Sequence, residues 1–402
     1  MDDRLKKTHI VLGVTGSIAA YKACMVLRQL IKQGAEVRVV MTKSAQKFVH
    51  PLTFETLSGN EVITQLFSRN RVVKTRHISL AEWADCILIC PATLNVIGKI
   101  ASGIADDFLT TVVTASRAPV IIAPAMDYEM VRNPIYLDNC EKLKRLGYLF
   151  VSTEEGDLAS GLKGAGRLAS LDRIEQTVKS ALFRSEKWKG KSVLVTAGPT
   201  REALDPVRFL TNRSSGKMGF ALAQEAALRG SEVTLITGPN HLSPVENVKT
   251  ILIESASDMA DAVEKAWPSH DVLIMAAAVA DYHPKKFSKE KIKKSEDTLQ
   301  LQLERTIDIL KKASAQKNGR ITVGFALETR SGEKEALRKL KEKNLDLICL
   351  NNSNDPGAGF QEETNQVTLI DSKGDKEAFP LLPKWEVAQK ILNKIEALMP
   401  NG

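Results

Sequence analysis

"HIVLGVTGSIAAYKACMVLRQLIKQGAEVRVVMT", residues 9–42, decides the fold. Its opening apolar run (9–14) is short enough for a buried strand, and it breaks at Thr15, Gly16 and Ser17. Beyond the break, Ile18, Met25, Val26, Leu30 and Ile31 recur at helical spacing, with Ser17 placed to cap the helix and Gly34 to end it. A second strand follows at 36–42. Strand, helix and strand in this order form a βαβ unit, whose parallel strands need helices on both faces of the sheet.

Working outward, the runs 86–90, 120–126 and 148–152 alternate with helical segments, as a doubly wound sheet requires. Such sheets bind ligands beyond the carboxyl ends of their strands. There stand Thr15–Ser17, "MTKSA" (41–45), "PATLN" (91–95) and "PAMDYEM" (124–130), with polar groups suited to a phosphate and a flat ring such as isoalloxazine. Backbone N–H groups near Gly16 and Ser17 can hold an anion at a helix start. "GVTGS" is not G-x-G-x-x-G, so the usual dinucleotide fingerprint is absent.

The chain has 402 residues, more than the roughly 250 to 300 at which one hydrophobic core stops growing, so two domains are expected. A polar, basic stretch, "FRSEKWKGK" (183–191), precedes a restart of the pattern, with "SVLVTAGPT" (192–200) a strand running into a Gly-Pro turn. The boundary is therefore placed at 185–190, giving domains 1–188 and 189–402. "NRSSGKMG" has Met218 after Lys217 and lacks P-loop glycine spacing, which excludes a Walker-type ATPase.

A net charge of +8 is compatible with nucleic acid, membrane surfaces or small polyanions. Lys285, Lys286, Lys289, Lys291, Lys293 and Lys294 crowd the loop after "VLIMAAAVADY" (272–282), where they form either a solvated surface or a triphosphate contact. Aromatics make up only 5% of the chain with no RNA-binding pattern, so nucleic acid is not expected as a partner. No apolar run reaches the roughly 18 residues of a membrane span, and no secretory leader opens the chain. The five cysteines read as reduced thiols, Cys86 and Cys90 as core rather than zinc ligands, and the protein is expected to be cytoplasmic.

"TEEGDLASGLKGAGR" (153–167) holds Gly156, Gly161, Gly164 and Gly166. So much glycine predicts neither helix nor strand but a mobile flap, with an ordinary surface turn as the alternative.

The motifs "GVTGSIAAYK", "HISLAEWAD", "PATLN", "GIADDFL" and "PAMDYEM", followed in order by "VTAGPTREALDPVRFLTNRSSGKMGF", "AAAVADY", "KIKK" and "KNLDLICLNN", cover nearly the whole chain. It resembles the bifunctional phosphopantothenoylcysteine decarboxylase and phosphopantothenate-cysteine ligase family of coenzyme A biosynthesis. That resemblance implies an N-terminal flavodoxin-like domain holding FMN, joined to a C-terminal Rossmann-like ligase domain using CTP and Mg²⁺. By matched position, Gly16, Ser17, Thr42, Thr93 and Asn95 face the flavin or its phosphate, and His77 is the decarboxylase histidine. In the ligase half, Asn212 contacts the acyl-cytidylate and Lys291 stabilises charge. Ala277, Asp281, Phe325, Lys339 and Lys343 line the nucleotide site. The family pattern also implies trimeric flavin domains and dimeric ligase domains that build a dodecamer.

Three positions depart from the pattern. Ser160 stands where a cysteine proton donor is usual, Asp127 where an asparagine binds the substrate carboxylate, and Ile307 where a proline precedes the aspartate. A hydroxyl is a far weaker acid than a thiol of pKa about 8.5, and an ionised Asp127 repels a carboxylate. Three outcomes stay open: Ser160 relays a proton from water or Lys163; Asp127 stays neutral in a compensated site; or the first half is a silent flavin-binding scaffold beside an active ligase.

Overall fold

The computed structural model describes residues 4–67, 76–293, 299–328, 332–352 and 361–400; Lys294 of the lysine run lies outside them. The chain folds as two compact units, Met1–Phe183 and Arg184–Gly402. The second begins ahead of the sequence boundary because of Trp188. Its ring is fully buried in the second unit's core, its Nε1 donates to Glu396 Oε2 at 2.7 Å, and the Arg229 guanidinium sits 6.0 Å from its centroid. What reads as a basic linker is therefore the first anchored segment of the second unit.

In the first unit, β1 (His9–Val14), α1 (Ala20–Lys32), β2 (Glu36–Met41), α2 (Pro51–Ser58), α3 (Arg76–Trp83) and β3 (Cys86–Ala92) lead to α4 (Leu94–Ala101), α5 (Phe108–Ala115) and β4 (Val120–Pro124). Then come α6 (Tyr128–Arg132), α7 (Pro134–Arg145), β5 (Leu149–Phe150), the strands β6 (Glu154–Asp157) and β7 (Lys163–Arg167), and α8 (Leu171–Phe183). The parallel sheet runs β2-β1-β3-β4-β5, the flavodoxin-like order. Alternation along β1 explains the double cover. Ile10, Leu12 and Val14 face α1 and α8, while Val11 joins the core built with α3, α4, α5 and α7. All of β3 is buried, and burial pushes the Cys86 and Cys90 thiols up to about 12, as core cysteines.

Two expectations need correction. Helix α1 begins at Ala20 with no side-chain cap; it buries Ala20, Ala23, Val26, Leu27 and Leu30, leaving Ile18 and Met25 exposed beside Tyr21. Val26 and Leu30 of the periodic set thus face the sheet together with Leu27 and the small Ala20 and Ala23. The glycine-rich segment is also not structureless: β6 and β7 pair antiparallel, Gly156 opposite Gly164 and Asp157 opposite Lys163. Glycine is needed where β7 crosses the turn before α6. A Cβ on Gly164 would lie 2.4 Å from the Tyr128 ring, and one on Gly166 2.3 Å from the Met126 carbonyl.

The second unit runs β8 (Ser192–Ala197), β9 (Arg201–Ala203), β10 (Phe209–Thr211), α9 (Lys217–Leu228), β11 (Glu232–Thr237), β12 (Val248–Leu252), α10 (Ala256–Ala266) and β13 (Val272–Met275). It continues through β14 (Tyr282–Pro284), β15 (Leu303–Arg305), α11 (Ile309–Ala315), β16 (Ile321–Glu328), α12 (Gly332–Glu342) and β17 (Leu347–Asn352). The chain closes with β18 (Thr364–Asn365), β19 (Val367–Asp371), β20 (Lys376–Ala378), β21 (Leu382–Pro383) and α13 (Lys384–Leu398). The large sheet is ordered β12-β11-β8-β13-β16-β17-β19-β20. Its six parallel strands follow the 3-2-1-4-5-6 Rossmann order, with β19 and β20 added antiparallel. Val193 and Val195 pack toward α9 and α13, and Leu194 toward α10 and α11.

Helix α9 approaches β8 so closely that a Cβ on Gly219 would lie 2.5 Å from Ala197 Cβ and 2.9 Å from the Thr196 carbonyl oxygen. We expect Gly219→Val to destabilise the second unit by about 1–3 kcal/mol through overpacking. Gly98→Ala, whose nearest neighbour is Asn139 Nδ2 at 3.9 Å inside α4, should instead stabilise the first unit by about 0.5–1 kcal/mol. Urea denaturation followed by tryptophan fluorescence and circular dichroism checks both directions.

Candidate functional site

Each sheet reverses its strand order once, between β1 and β3 and between β8 and β13. Connections leave in opposite directions there, opening a crevice at the carboxyl ends of the strands.

In the first unit one side chain ties that crevice together. Thr15 donates its hydroxyl to the Pro91 carbonyl at 2.7 Å and accepts from the Thr93 N–H at 3.0 Å. Around this bridge, Ser17 Oγ accepts from Ala19 N at 3.3 Å, Thr42 Oγ1 from Ala45 N at 3.3 Å and Thr93 Oγ1 from Val96 N at 3.5 Å. Each hydroxyl is used as an acceptor and keeps its O–H for a ligand oxygen, so this donor set fits a phosphate. Gly16 is required by close approach: a Cβ there would lie 2.4 Å from Ser44 Cβ. Asn95 is exposed in the first turn of α4.

His77 lies half-buried in the first turn of α3. The other end of that helix is fixed by Trp83, which stacks on His9 at 4.6 Å, and His9 starts β1. Since α3 ends at the amino edge of the sheet, its start points to the carboxyl edge, where the crevice is. Asp127 is reached from β4, and the β6–β7 hairpin is fastened next to it by Met126 N donating to the Gly166 carbonyl at 3.0 Å. Ser160 sits exposed in the hairpin's tip, with Lys163 exposed at the start of β7.

In the second unit, a cleft of about 890 Å³ opens at the corresponding place. Asn212, Ala277, Asp281, Phe325, Lys339 and Lys343 all line it, although they come from separate segments of the chain. Asn212 donates its amide to the carbonyls of Ala278 at 3.0 Å and Val279 at 3.2 Å, spanning the switch point. Thr196 Oγ1 accepts from Ala277 N at 3.2 Å, which fixes the neighbouring strand end. Lys343 Nζ pairs with Asp308 at 2.9 Å, and Asp308 also caps α11. Ile307, at the departed proline position, lines the cleft with its side chain exposed.

Lys291 is exposed and is not among the residues lining the cleft. Its neighbour Ile292 is held through its backbone.

Sequence reasoning passed over Lys217 and Lys384. Lys217, weighed only as a P-loop lysine, lines the cleft and binds Glu363 Oε1 at 2.5 Å and the Gln361 carbonyl at 2.8 Å. Lys384, buried at the start of α13, donates to the Glu362 carbonyl. Burial pushes its ammonium down to about 8, Lys217 adding to the effect against Glu363 and Glu362. Nothing local marks Lys384 in the sequence, because its environment is assembled by the β18–β21 pairing. Among the described residues, no group of three His, Cys, Asp or Glu side chains could hold a metal ion. Asp281 and Asp308 are the cleft's carboxylates, which fits a hard cation held mainly by a ligand's phosphate oxygens.

A flavodoxin-ordered unit with a phosphate-type crevice, followed by a Rossmann-ordered unit with a lysine-lined cleft, defines a two-domain α/β protein with a ligand crevice in each unit. Residues 1–183 match the family model described as "Flavoprotein", and 188–399 match that of the "DNA/pantothenate metabolism flavoprotein C-terminal domain". A Bacillus subtilis relative, "Coenzyme A biosynthesis bifunctional protein CoaBC", is 46% identical, over 98% of this chain and 98% of its own length. Its Vibrio cholerae counterpart is 44% identical over 97% and 98%. A prokaryotic "Cysteine/Cysteine sulfinic acid decarboxylase" is 43% identical over 87% of this chain and 99% of its own. The chain belongs to the family of bifunctional coenzyme A biosynthesis proteins. No helix among its described residues is long and apolar enough to cross a membrane.

Lys384 gives a pH signature. Its lowered folded pKa means that the unfolded chain binds one more proton between about 8 and 10.5, so its contribution to stability rises with pH across that window. Lys384→Met removes this dependence. We expect the variant's melting temperature, relative to wild type, to be higher at pH 7.5 than at pH 10; an equal difference at both would refute the assignment.

Proposed function

We propose that this chain carries out two consecutive steps of coenzyme A biosynthesis, ligation in the second unit and decarboxylation in the first. The observation that carries the reading is the convergence of Asn212, Ala277, Asp281, Phe325, Lys339 and Lys343 on one cleft at a Rossmann switch point. Relatives match across both units, which disfavours a ligase carrying a silent first unit.

In the ligase step, phosphopantothenate's carboxylate attacks the α-phosphorus of CTP, releasing pyrophosphate and giving an acyl-cytidylate. The amine of cysteine then displaces CMP to form the amide. Ala277, Asp281 and Phe325 hold the nucleoside, and Lys339, Lys343 and Lys291 balance charge on the phosphates. Asn212, anchored on the Ala278 and Val279 carbonyls, presents its remaining polar edge to the acyl-cytidylate. Mg²⁺ supplies charge neutralisation on the triphosphate.

In the decarboxylation step, FMN supplies reversible two-electron oxidation of the substrate thiol, which makes loss of the carboxyl group as carbon dioxide feasible. Gly16, Ser17, Thr42, Thr93 and Asn95 hold the flavin and its phosphate, and His77 orients the substrate beside the ring. Ser160 relays the final proton from water or Lys163, and Asp127 takes the position that meets the substrate carboxylate. The hairpin's attachment beside Asp127 supports this pairing of functions on adjacent elements.

The same reading places the protein in the cytoplasm as a homo-oligomer. All five cysteines are unpaired. Large apolar side chains lie exposed on the first unit at Ile18, Tyr21, Met25 and Leu52 and on the second at Val207, Phe209 and Tyr282, suiting trimeric flavin units, dimeric ligase units and a dodecamer.

Pyrophosphate release tests the ligase assignment: it should require CTP and phosphopantothenate together. Lys291→Gln should lower turnover about 10²-fold with an unchanged circular dichroism spectrum. Ser160→Ala should slow carbon dioxide release and leave pyrophosphate release intact. Pyrophosphate formation without phosphopantothenate, or equal loss of both activities in Ser160→Ala, contradicts the scheme.

A further inference from the structure

Lys291 is not among the residues lining the cleft, yet the backbone of the lysine loop is gripped beside it. Asp205, at the tip of the β9–β10 hairpin, has a side chain 0% exposed. One of its oxygens accepts from the N–H groups of Val207 and Arg208, both at 2.8 Å; the other accepts from Ile292 N at 3.1 Å. Arg208 Nε lies 3.1 Å from that second oxygen, and its guanidinium donates to the Ile292 carbonyl. Both backbone polar groups of Ile292 are thus satisfied by one hairpin tip. A second tie runs from Ser288 N to the Leu204 carbonyl at 3.0 Å.

A solvated lysine loop has no need of a buried carboxylate beneath it. Burial pushes the Asp205 carboxyl up, but the N–H groups of Val207, Ile292 and Arg208 and the Arg208 charge outweigh it, so the group is held below the usual carboxylate range. Because the grip is on the backbone, the side chains of Lys291 and Lys293 on either side stay exposed and uncommitted to it. The same hairpin passes through Thr211, whose hydroxyl donates to the Thr200 carbonyl at 2.7 Å, into Asn212 at the cleft. One hairpin therefore leads into Asn212 at one end and holds the lysine loop at the other.

We propose that Asp205 and Arg208 are positioning residues that clamp the Ile292 backbone and set the lysine loop in register with Asn212 for the bound triphosphate. This rests on the ligase reading of Lys291. Asp205→Asn separates the two jobs of the carboxylate. One amide oxygen can still accept from Val207 and Arg208 and keep the turn, while the amide nitrogen cannot accept from Ile292. Arg208→Lys is the second variant, keeping a positive charge beside Asp205 without the planar fork that reaches the Ile292 carbonyl.

Two readouts on the full-length protein keep the clamp and the ligase reading distinguishable. Brief trypsin digestion mapped by mass spectrometry reports on the loop itself. We expect cleavage after Lys289, Lys291 and Lys293 to be at least fivefold faster in both variants, with CTP protecting wild type better than either. Steady-state kinetics should show KM for CTP raised about tenfold in Asp205→Asn, the Asp205→Asn/Lys291→Gln double variant no worse than Lys291→Gln alone, and unchanged carbon dioxide release by the first unit. Cleavage at the wild-type rate in both folded variants overturns the clamp. Faster cleavage with a Lys291→Gln protein of full ligase activity keeps the clamp, overturns its catalytic purpose and rejects the Lys291 reading instead.

Discussion

The reversal of strand order at the centre of each parallel sheet is the constraint on which the rest of the molecule depends. Two strands that send their connections to opposite faces leave backbone groups at their carboxyl ends without a covering helix. Those groups need polar partners. Thr15 supplies them in the first unit by joining the Pro91 carbonyl to the Thr93 N–H. Asn212 does so in the second by bridging two carbonyls after β13. Close glycines keep these points compact, Gly16 against Ser44 and Gly219 against Ala197. The folding solution and the ligand crevice are one arrangement, which explains why every residue assigned to the nucleotide except Lys291 lines the second unit's cleft.

How much of this could be read from the sequence depends on how local the cause is. The strand and helix pattern of residues 9–42 is legible because burial on both faces forces continuous apolar strands and periodic helices. The buried face of α1 is only partly so: Val26 and Leu30 are buried as their periodicity predicts, whereas Met25, and Ile18 ahead of the helix, are exposed and Ala20, Ala23 and Leu27 complete the face. Residues 153–167 mislead for a physical reason. Glycine lowers strand propensity, but here it is demanded by the approach of β7 to Tyr128 and Met126, which local propensity cannot report. Trp188 misleads likewise, its basic neighbours concealing a fully buried ring.

The candidate site divides along the same line. Asn212, Asp281 and Phe325 were accessible through the family resemblance, by matched motif position, whereas Asp205 and Lys384 act through partners distant in sequence. Lys384 opens a helix and Asp205 lies in a hairpin turn, positions where a charged residue is ordinarily solvated. Their burial is a tertiary outcome. The departures at Ser160 and Asp127 fall on the hairpin and on the turn that holds it, so the two changed chemistries are neighbours along one structural connection.

The central claim is that both units of this chain turn over in sequence. The most direct test incubates the purified protein with phosphopantothenate, cysteine, CTP, Mg²⁺ and FMN and follows every pantothenate-derived product by mass spectrometry. Phosphopantetheine accumulating through a transient phosphopantothenoylcysteine is the predicted result, with the serine-bearing hairpin supplying the last proton. Accumulation of phosphopantothenoylcysteine with no phosphopantetheine would contradict it.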